Sequence, residues 1–110
     1  MDDNQKLVLP QQPTLKDFQQ YVKDLVQIRG WQDQPIQEVF MLFLEECGEL
    51  AKAVRKTSGM TTDKNSITYH VDLEAADVLI YLLDICNKCG VDLEQAFRDK
   101  EEINKKRVWS

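Results

Sequence analysis

Residues 71–88, VDLEAADVLIYLLDICNK, decide the fold. The run is rich in Leu, Ile, Val and Ala and reads as one helix. At about 100° per residue most of its circumference is apolar, and His70, Glu74, Asp77, Tyr81, Asp84 and Lys88 gather within roughly 80° of arc. A helix that is apolar almost all round is a buried helix. Glu74 and Asp77 lie one turn apart on its single polar stripe. Burying carboxylates without a partner is very costly, so something else in the chain must answer them.

The answer lies upstream, on a helix expected from about Ile36 to Lys56 and opened by Pro35. Its apolar arc holds Val39, Leu42, Phe43, Leu50, Ala53 and Val54. With Glu46 set at 0°, Val39 falls at about 20°, Leu50 at 40°, Ala53 at −20° and Leu42 at −40°. Glu46 therefore sits in the middle of the face that should be buried. Glu49 falls at its edge, near −60°, and Glu45 further out, near −100°. A carboxylate centred in an apolar stripe breaks a local rule, and such breaks are expected at functional sites. Gly48 permits close approach of a neighbouring backbone at roughly 1 kcal/mol of helix stability.

Two more helices flank this pair. Thr14 with Asp17 resembles an N-cap with an acidic first turn. Leu15, Phe18, Tyr21, Val22, Leu25 and Ile28 recur at helical spacing up to a stop at Gly30. Asp92 with Gln95 forms a capping pair for a last helix, about Leu93 to Arg107. There Lys100, Asn104 and Arg107 fall within about 60°, flanked by Phe97 and Ile103. They form either a solvated charged face or a set of phosphate donors. Trp31, in the connection RGWQDQP, either caps the core or walls a planar ligand. Residues 57–67, TSGMTTDKNSI, are a long loop for a helix connection, either solvated or a flap over a site. No strand pattern or internal repeat is present. The expected fold is all-α, a four-helix bundle-like domain over residues 14–110 behind a loose, Pro-containing arm over residues 1–13.

Bulk properties narrow the partners. The chain has 110 residues, 43% hydrophobic and 30% charged, enough for one domain with one core. Its formal charge of −5 argues against a nucleic-acid polymer, though not against a phosphate ligand delivered with a metal ion. No apolar run is long enough to span a membrane. The start shows no signal-peptide pattern, and three cysteines, Cys47, Cys86 and Cys89, are an odd count. The expected setting is the cytoplasm, with reduced thiols. Cys86-x-x-Cys89 stands at a helix end without the βαβ context of a redox motif.

The chemistry sits in two i, i+3 pairs, Glu46 with Glu49 and Glu74 with Asp77. If the two helices pack antiparallel, the four carboxylates can converge. At about 5 Å two such charges repel by roughly 3 kcal/mol at an effective dielectric near 20, so the cluster needs protonation or a divalent cation. All-oxygen ligation suits Mg²⁺, Mn²⁺ or Ca²⁺ rather than zinc. A di-iron bundle site would want Glu-x-x-His pairs, which the sole histidine, His70, does not supply.

At these residues the chain resembles the MazG-type nucleotide pyrophosphohydrolases. They are part of the all-α NTP pyrophosphatase superfamily, with dimeric dUTPases and phosphoribosyl-ATP pyrophosphohydrolases as relatives. The motif is E-x-x-E on one helix and E-x-x-D on the next, here EECGE from Glu45 to Glu49 and EAADVLIY from Glu74 to Tyr81. GELAKAVRK, DVLIYLLDI and the tail KEEINKKRVW are also similar, so the resemblance covers roughly Trp31 to Trp109. It implies hydrolysis of a nucleoside triphosphate between the α and β phosphates, to a monophosphate and pyrophosphate, as house-cleaning of the nucleotide pool. Glu46, Glu49, Glu74 and Asp77 would hold Mg²⁺, or Mn²⁺ in its place, which neutralises phosphate charge and orients the attacking water. Glu45 or one of the ligands, Glu46 among them, would take the water proton. Lys100, Asn104 and Arg107 would hold the phosphate tail, while Tyr81, and Trp31 as a second wall, would line the base pocket.

A non-catalytic metal-binding helical regulator or adaptor is the competing reading, separable by Mg²⁺-dependent pyrophosphate release. Phe40, Met41 and Leu44 lie outside the Glu46 face, and the helix over residues 71–88 is more apolar than one edge of a small bundle needs. Both features lead us to expect a homodimer or homotetramer with the helices over residues 36–56 and 71–88 partly buried between subunits.

Overall fold

Thr14 starts the first helix by a reciprocal cap. Its Oγ1 accepts the Asp17 N–H at 3.2 Å, and the Asp17 carboxylate accepts the Thr14 N–H at 2.9 Å. This satisfies two backbone donors that a helix start leaves open. The computed structural model describes residues 3–58 and 70–108, which form α1 (Leu15–Ile28), α2 (Ile36–Thr57), α3 (Val71–Lys88) and α4 (Leu93–Lys105). Among the described residues there is no strand, as the all-α expectation requires.

By contact the chain divides into two compact units. One runs up to Asp33 and resumes at Cys86, so it holds α1, the last turn of α3 and α4. Val22, Leu25 and Val26 of α1 and Cys86 are buried there, and α1 packs on α4. The inward positions of α1 recur at three- and four-residue steps, the signature of one helical face. Gly30 closes α1 with φ +75° and Gly90 closes α3 with φ +68°, a conformation that costs glycine little.

The other unit, Gln34–Ile85, holds α2 and most of α3. Pro35 offers no capping side chain; its carbonyl takes the N–H groups of Glu38 and Val39 instead. Glu38 in the first turn and Arg55 and Lys56 in the last suit the helix dipole. Val39, Ala53 and Leu83 are buried, with Val39 at 0% exposure. Leu42, Phe43 and Leu50 are half-buried, whereas Val54 is exposed, so the arc read from the sequence is one residue too wide.

Three expectations need correction. First, α3 is not buried all round. Leu83, Asp84 and Cys86 in its C-terminal half are buried, but Leu73 is 57% exposed. A chain of this size has too few elements to cover every side of an 18-residue apolar helix. Second, α4 ends at Lys105. Lys106 is its C-cap, with its N–H turned to Asn104 and Ile103, so Arg107 lies past the helix. Third, the arm is not wholly loose. Asp3–Lys6 form one 3₁₀ turn, and Arg29 Nε donates to Asn4 Oδ1 at 3.1 Å. The flap expectation over residues 57–67 falls, beyond Ser58, outside the described residues, as does Trp109.

Candidate active site

Glu74 and Asp77 share one face of α3 because three residues make nearly one turn. Glu46 of α2 meets them: one carboxylate oxygen from each lies within 4.8 Å of the other two. The helices run antiparallel here. Glu46 stands against the N-terminal half of α3, while Ile36, Gln37, Phe40 and Met41 border a cavity of about 420 Å³ with Ile85, near its C-terminal end.

Burial grades the three acids. Glu46 and Glu74 are half-buried and Asp77 is exposed. The Glu46 carboxyl is pushed above its ordinary value, first by burial and then by Asp77, Glu74, Glu49 and Glu45. Every charge acting on it is therefore negative, the environment that favours protonation or a cation. Three convergent oxygen donors with no nitrogen or sulfur among them fit a hard divalent ion such as Mg²⁺ or Mn²⁺. Glu49 is exposed and stands outside the close group, although near enough to act on Glu46. Glu45 is likewise exposed and acts on both Glu46 and Tyr81.

Tyr81, one turn beyond Asp77, is half-buried. Its hydroxyl is held above its usual range by burial and then by Glu46, Asp77, Asp84 and Glu45. It thus borders the acidic group with a ring and a retained proton. The remaining expected residues belong to the other unit. Trp31 is exposed, with the Arg29 guanidinium 5.5 Å from its ring centroid. Lys100 and Arg107 are exposed, and Asn104 is half-buried with its Nδ2 donating to Glu101 at 2.7 Å.

Some residues were not singled out from the sequence. Asp84 and Lys56 are buried, although Asp84 shares the polar stripe of α3 and Lys56 closes α2. Gln19 is a buried amide on α1 whose partners lie 68 to 74 residues away, beyond the reach of any local pattern. Cys47, Cys86 and Cys89 are all free, and burial pushes the Cys86 thiol up, with Cys89 adding to it.

The described residues form an all-α chain in which acids converge from two antiparallel helices, an arrangement found in a restricted class of helical proteins. The MazG nucleotide pyrophosphohydrolase domain matches residues 34–108, and the chain belongs to that family. It is 40% identical over 67 residues to a dATP/dGTP diphosphohydrolase of cyanophage S-2L, across 61% of this chain and 51% of that protein. It is 31% identical over 102 residues to dCTP pyrophosphatase 1 of Homo sapiens, across 87% and 59%. A dATP/dGTP diphosphohydrolase of Salmonella phage PMBT28 is 31% identical over 82 residues, across 74% and 25%. The chain thus spans between 25% and 59% of the length of these curated relatives. Among the described residues no helix is long and apolar enough to cross a membrane.

Proposed function

We propose that this protein hydrolyses nucleoside triphosphates, deoxynucleotides among them, between the α and β phosphates, yielding a monophosphate and pyrophosphate. The observation that carries the reading is the convergence of Glu46, Glu74 and Asp77 within 4.8 Å inside a MazG-family domain. The relatives named for dATP, dGTP and dCTP support deoxynucleoside triphosphates as the first substrates to try.

Glu46, Glu74 and Asp77, with Glu49 beside them, would hold Mg²⁺ or Mn²⁺. Bound there, the ion would offset phosphate charge and bring a water toward the scissile phosphorus. The chain's own residues do the rest. As the water oxygen bonds to phosphorus, its proton passes to Glu45 or to a cluster carboxylate, and the bridging oxygen leaves with pyrophosphate. Tyr81 offers a flat, partly buried ring for the base; Trp31 as a second wall rests on the sequence reading alone. By the family resemblance Lys100, Asn104 and Arg107 would supply donors to the phosphate tail; only Lys100 and Asn104 keep the helical spacing, because Arg107 lies past the end of α4.

The same reading includes self-association. Ile36, Phe40, Met41, Leu44 and Val54 leave an exposed apolar row along α2, with Met41 at 63%. Exposed charges are interleaved with the row, acidic toward its N-terminal half (Glu38, Glu45) and basic toward its C-terminal end (Lys52, Arg55). A second copy laid antiparallel across this helix would cover the row and set acid against base, as an isologous dimer requires. A homodimer or homotetramer built on α2 and the exposed part of α3 follows.

A panel of the ribo- and deoxynucleoside triphosphates, assayed for pyrophosphate release with millimolar Mg²⁺ and with chelator, tests the activity. Release from at least one nucleotide, abolished by chelator, is expected. Metal binding without turnover of any nucleotide would establish the non-catalytic reading instead.

A further inference from the structure

α4 carries Lys100 and Asn104, yet none of its side chains is buried. Phe97 and Ile103, the residues that should pin it, are exposed. Only Leu93 and Ala96 of its apolar residues are half-buried, so apolar packing on α1 reaches its first turn and little beyond it. What holds its start is an amide. Gln19 of α1, 9% exposed, donates through Nε2 to Asn87 Oδ1 at 2.9 Å and to the Val91 carbonyl at 2.5 Å. Its Oε1 accepts the Leu93 N–H at 3.1 Å, and Asn87 Nδ2 donates back to the Gln19 carbonyl at 3.1 Å.

A side-chain amide offers two N–H donors and one carbonyl oxygen, and Gln19 uses both ends at once. Reversing the amide would set N–H against N–H and oxygen against two oxygens, so the network has one orientation. Leu93 is the first residue of α4, and its N–H is one of the donors a helix start leaves open. The α3–α4 turn is fixed at the same point, with Gly90 at φ +68° and the Val91 N–H on the Cys86 carbonyl at 2.9 Å. Gln19 thus ties α1, the last turn of α3 and the first turn of α4 to one another.

We propose that Gln19 is a positioning residue for phosphate binding: it sets where α4 carries Lys100 and Asn104. The inference rests on the reading of those two residues as phosphate donors. Lys100 stands seven residues past Leu93 and Asn104 eleven, about 10 Å and 16 Å along the axis. A tilt of about 10° at the first turn moves them by about 2 Å and 3 Å. Charge-assisted hydrogen bonds keep their strength over only a few tenths of an ångström, and a displacement of about 1 Å can cost a hundredfold in rate.

The test is Gln19→Leu, which removes all of the side-chain bonds, measured beside Lys100→Ala. The readouts are KM for the nucleoside triphosphate, inhibition by product pyrophosphate, inhibition by product monophosphate and the Mg²⁺-induced rise in melting temperature. In Gln19→Leu, KM and the pyrophosphate inhibition constant should both rise about tenfold or more. Monophosphate inhibition and the Mg²⁺ response, which read the base pocket and the acids of α2 and α3, should stay at wild-type values. A variant that melts lower but keeps wild-type KM and pyrophosphate inhibition makes Gln19 merely structural and overturns the proposal. If Lys100→Ala raises both constants and Gln19→Leu raises neither, the phosphate-donor reading stands and only the positioning role fails. If Lys100→Ala raises neither, the reading beneath the proposal fails and takes it along. Gln19→Glu keeps the volume and the bond from Leu93 while setting oxygen against the Val91 carbonyl; it supplies the same readouts if the leucine variant does not fold.

Discussion

Glu46→Gln removes one charge from the acidic group while keeping the shape of the side chain. In the metal-free protein that charge faces Glu74 and Asp77, whose nearest oxygens lie within 4.8 Å. At that separation one pair repels by about 3.5 kcal/mol at an effective dielectric near 20 and by about 0.9 kcal/mol at that of water. Glu46 is only half-buried and Asp77 exposed, so solvent and salt screen the pairs. The relief from losing both is on the order of 2 kcal/mol. For a chain of this size that raises the melting temperature in chelator by about 5–10 °C.

With Mg²⁺ the order reverses in kind. An ion that binds only the folded state stabilises wild type by about 2.7 kcal/mol at a hundredfold excess over Kd. The variant should show a much smaller Mg²⁺ response and no hydrolysis. The sign with pH follows from the direction of the Glu46 shift. A native carboxyl raised above its unfolded value, about 4.3, binds protons preferentially in the folded state. The stability it contributes is present below that value and is lost as pH rises through the raised native one. Metal-free wild type should therefore gain stability as pH falls from neutral into that window, and Glu46→Gln should lack that component. Thermal melts of both proteins, in chelator and in millimolar Mg²⁺, provide the measurement. A variant that melts well below wild type in chelator and retains activity would mean that Glu46 is an ordinary partnered side chain, and the reasoning would be refuted.

Met41→Glu places a charge in the exposed apolar row of α2, and light scattering at micromolar concentration should show a smaller particle than wild type. A wild-type protein that is already a clean monomer would sink the assembly reading. Leu83→Ala, at a side chain 1% exposed, should cost about 2–5 kcal/mol of stability by denaturant melt. Alkylation should proceed at exposed Cys89 well before buried Cys86, whose raised thiol value keeps it protonated to higher pH; mass mapping against time and pH reads the order.

Periodicity and caps carried most of the fold. The Thr14–Asp17 and Asp92–Gln95 pairs marked two helix starts because capping is a local hydrogen-bond exchange. Glu46 was legible as a carboxylate out of place in an apolar arc, and the i, i+3 spacing of Glu74 and Asp77 put both on one face, where the structure brings Glu46 to meet them. Other features depend on three-dimensional packing. How much of α3 is covered depends on how many elements the chain can lay against it, which composition does not encode. The Gln19 network joins residues on α1, α3 and α4 that no short-range pattern relates. Glu49 shares a helical edge with Glu46, but the wheel angle alone did not say that it would stand outside the close group.

The central claim is that the acidic group serves hydrolysis at the α–β anhydride. Its most direct test is ³¹P NMR of a deoxynucleoside triphosphate incubated with the protein and Mg²⁺, with Glu46→Gln as control. The account predicts resonances of a monophosphate and pyrophosphate growing in equal amounts with wild type and absent with the variant. Orthophosphate with a nucleoside diphosphate, or equal turnover by the variant, would contradict it.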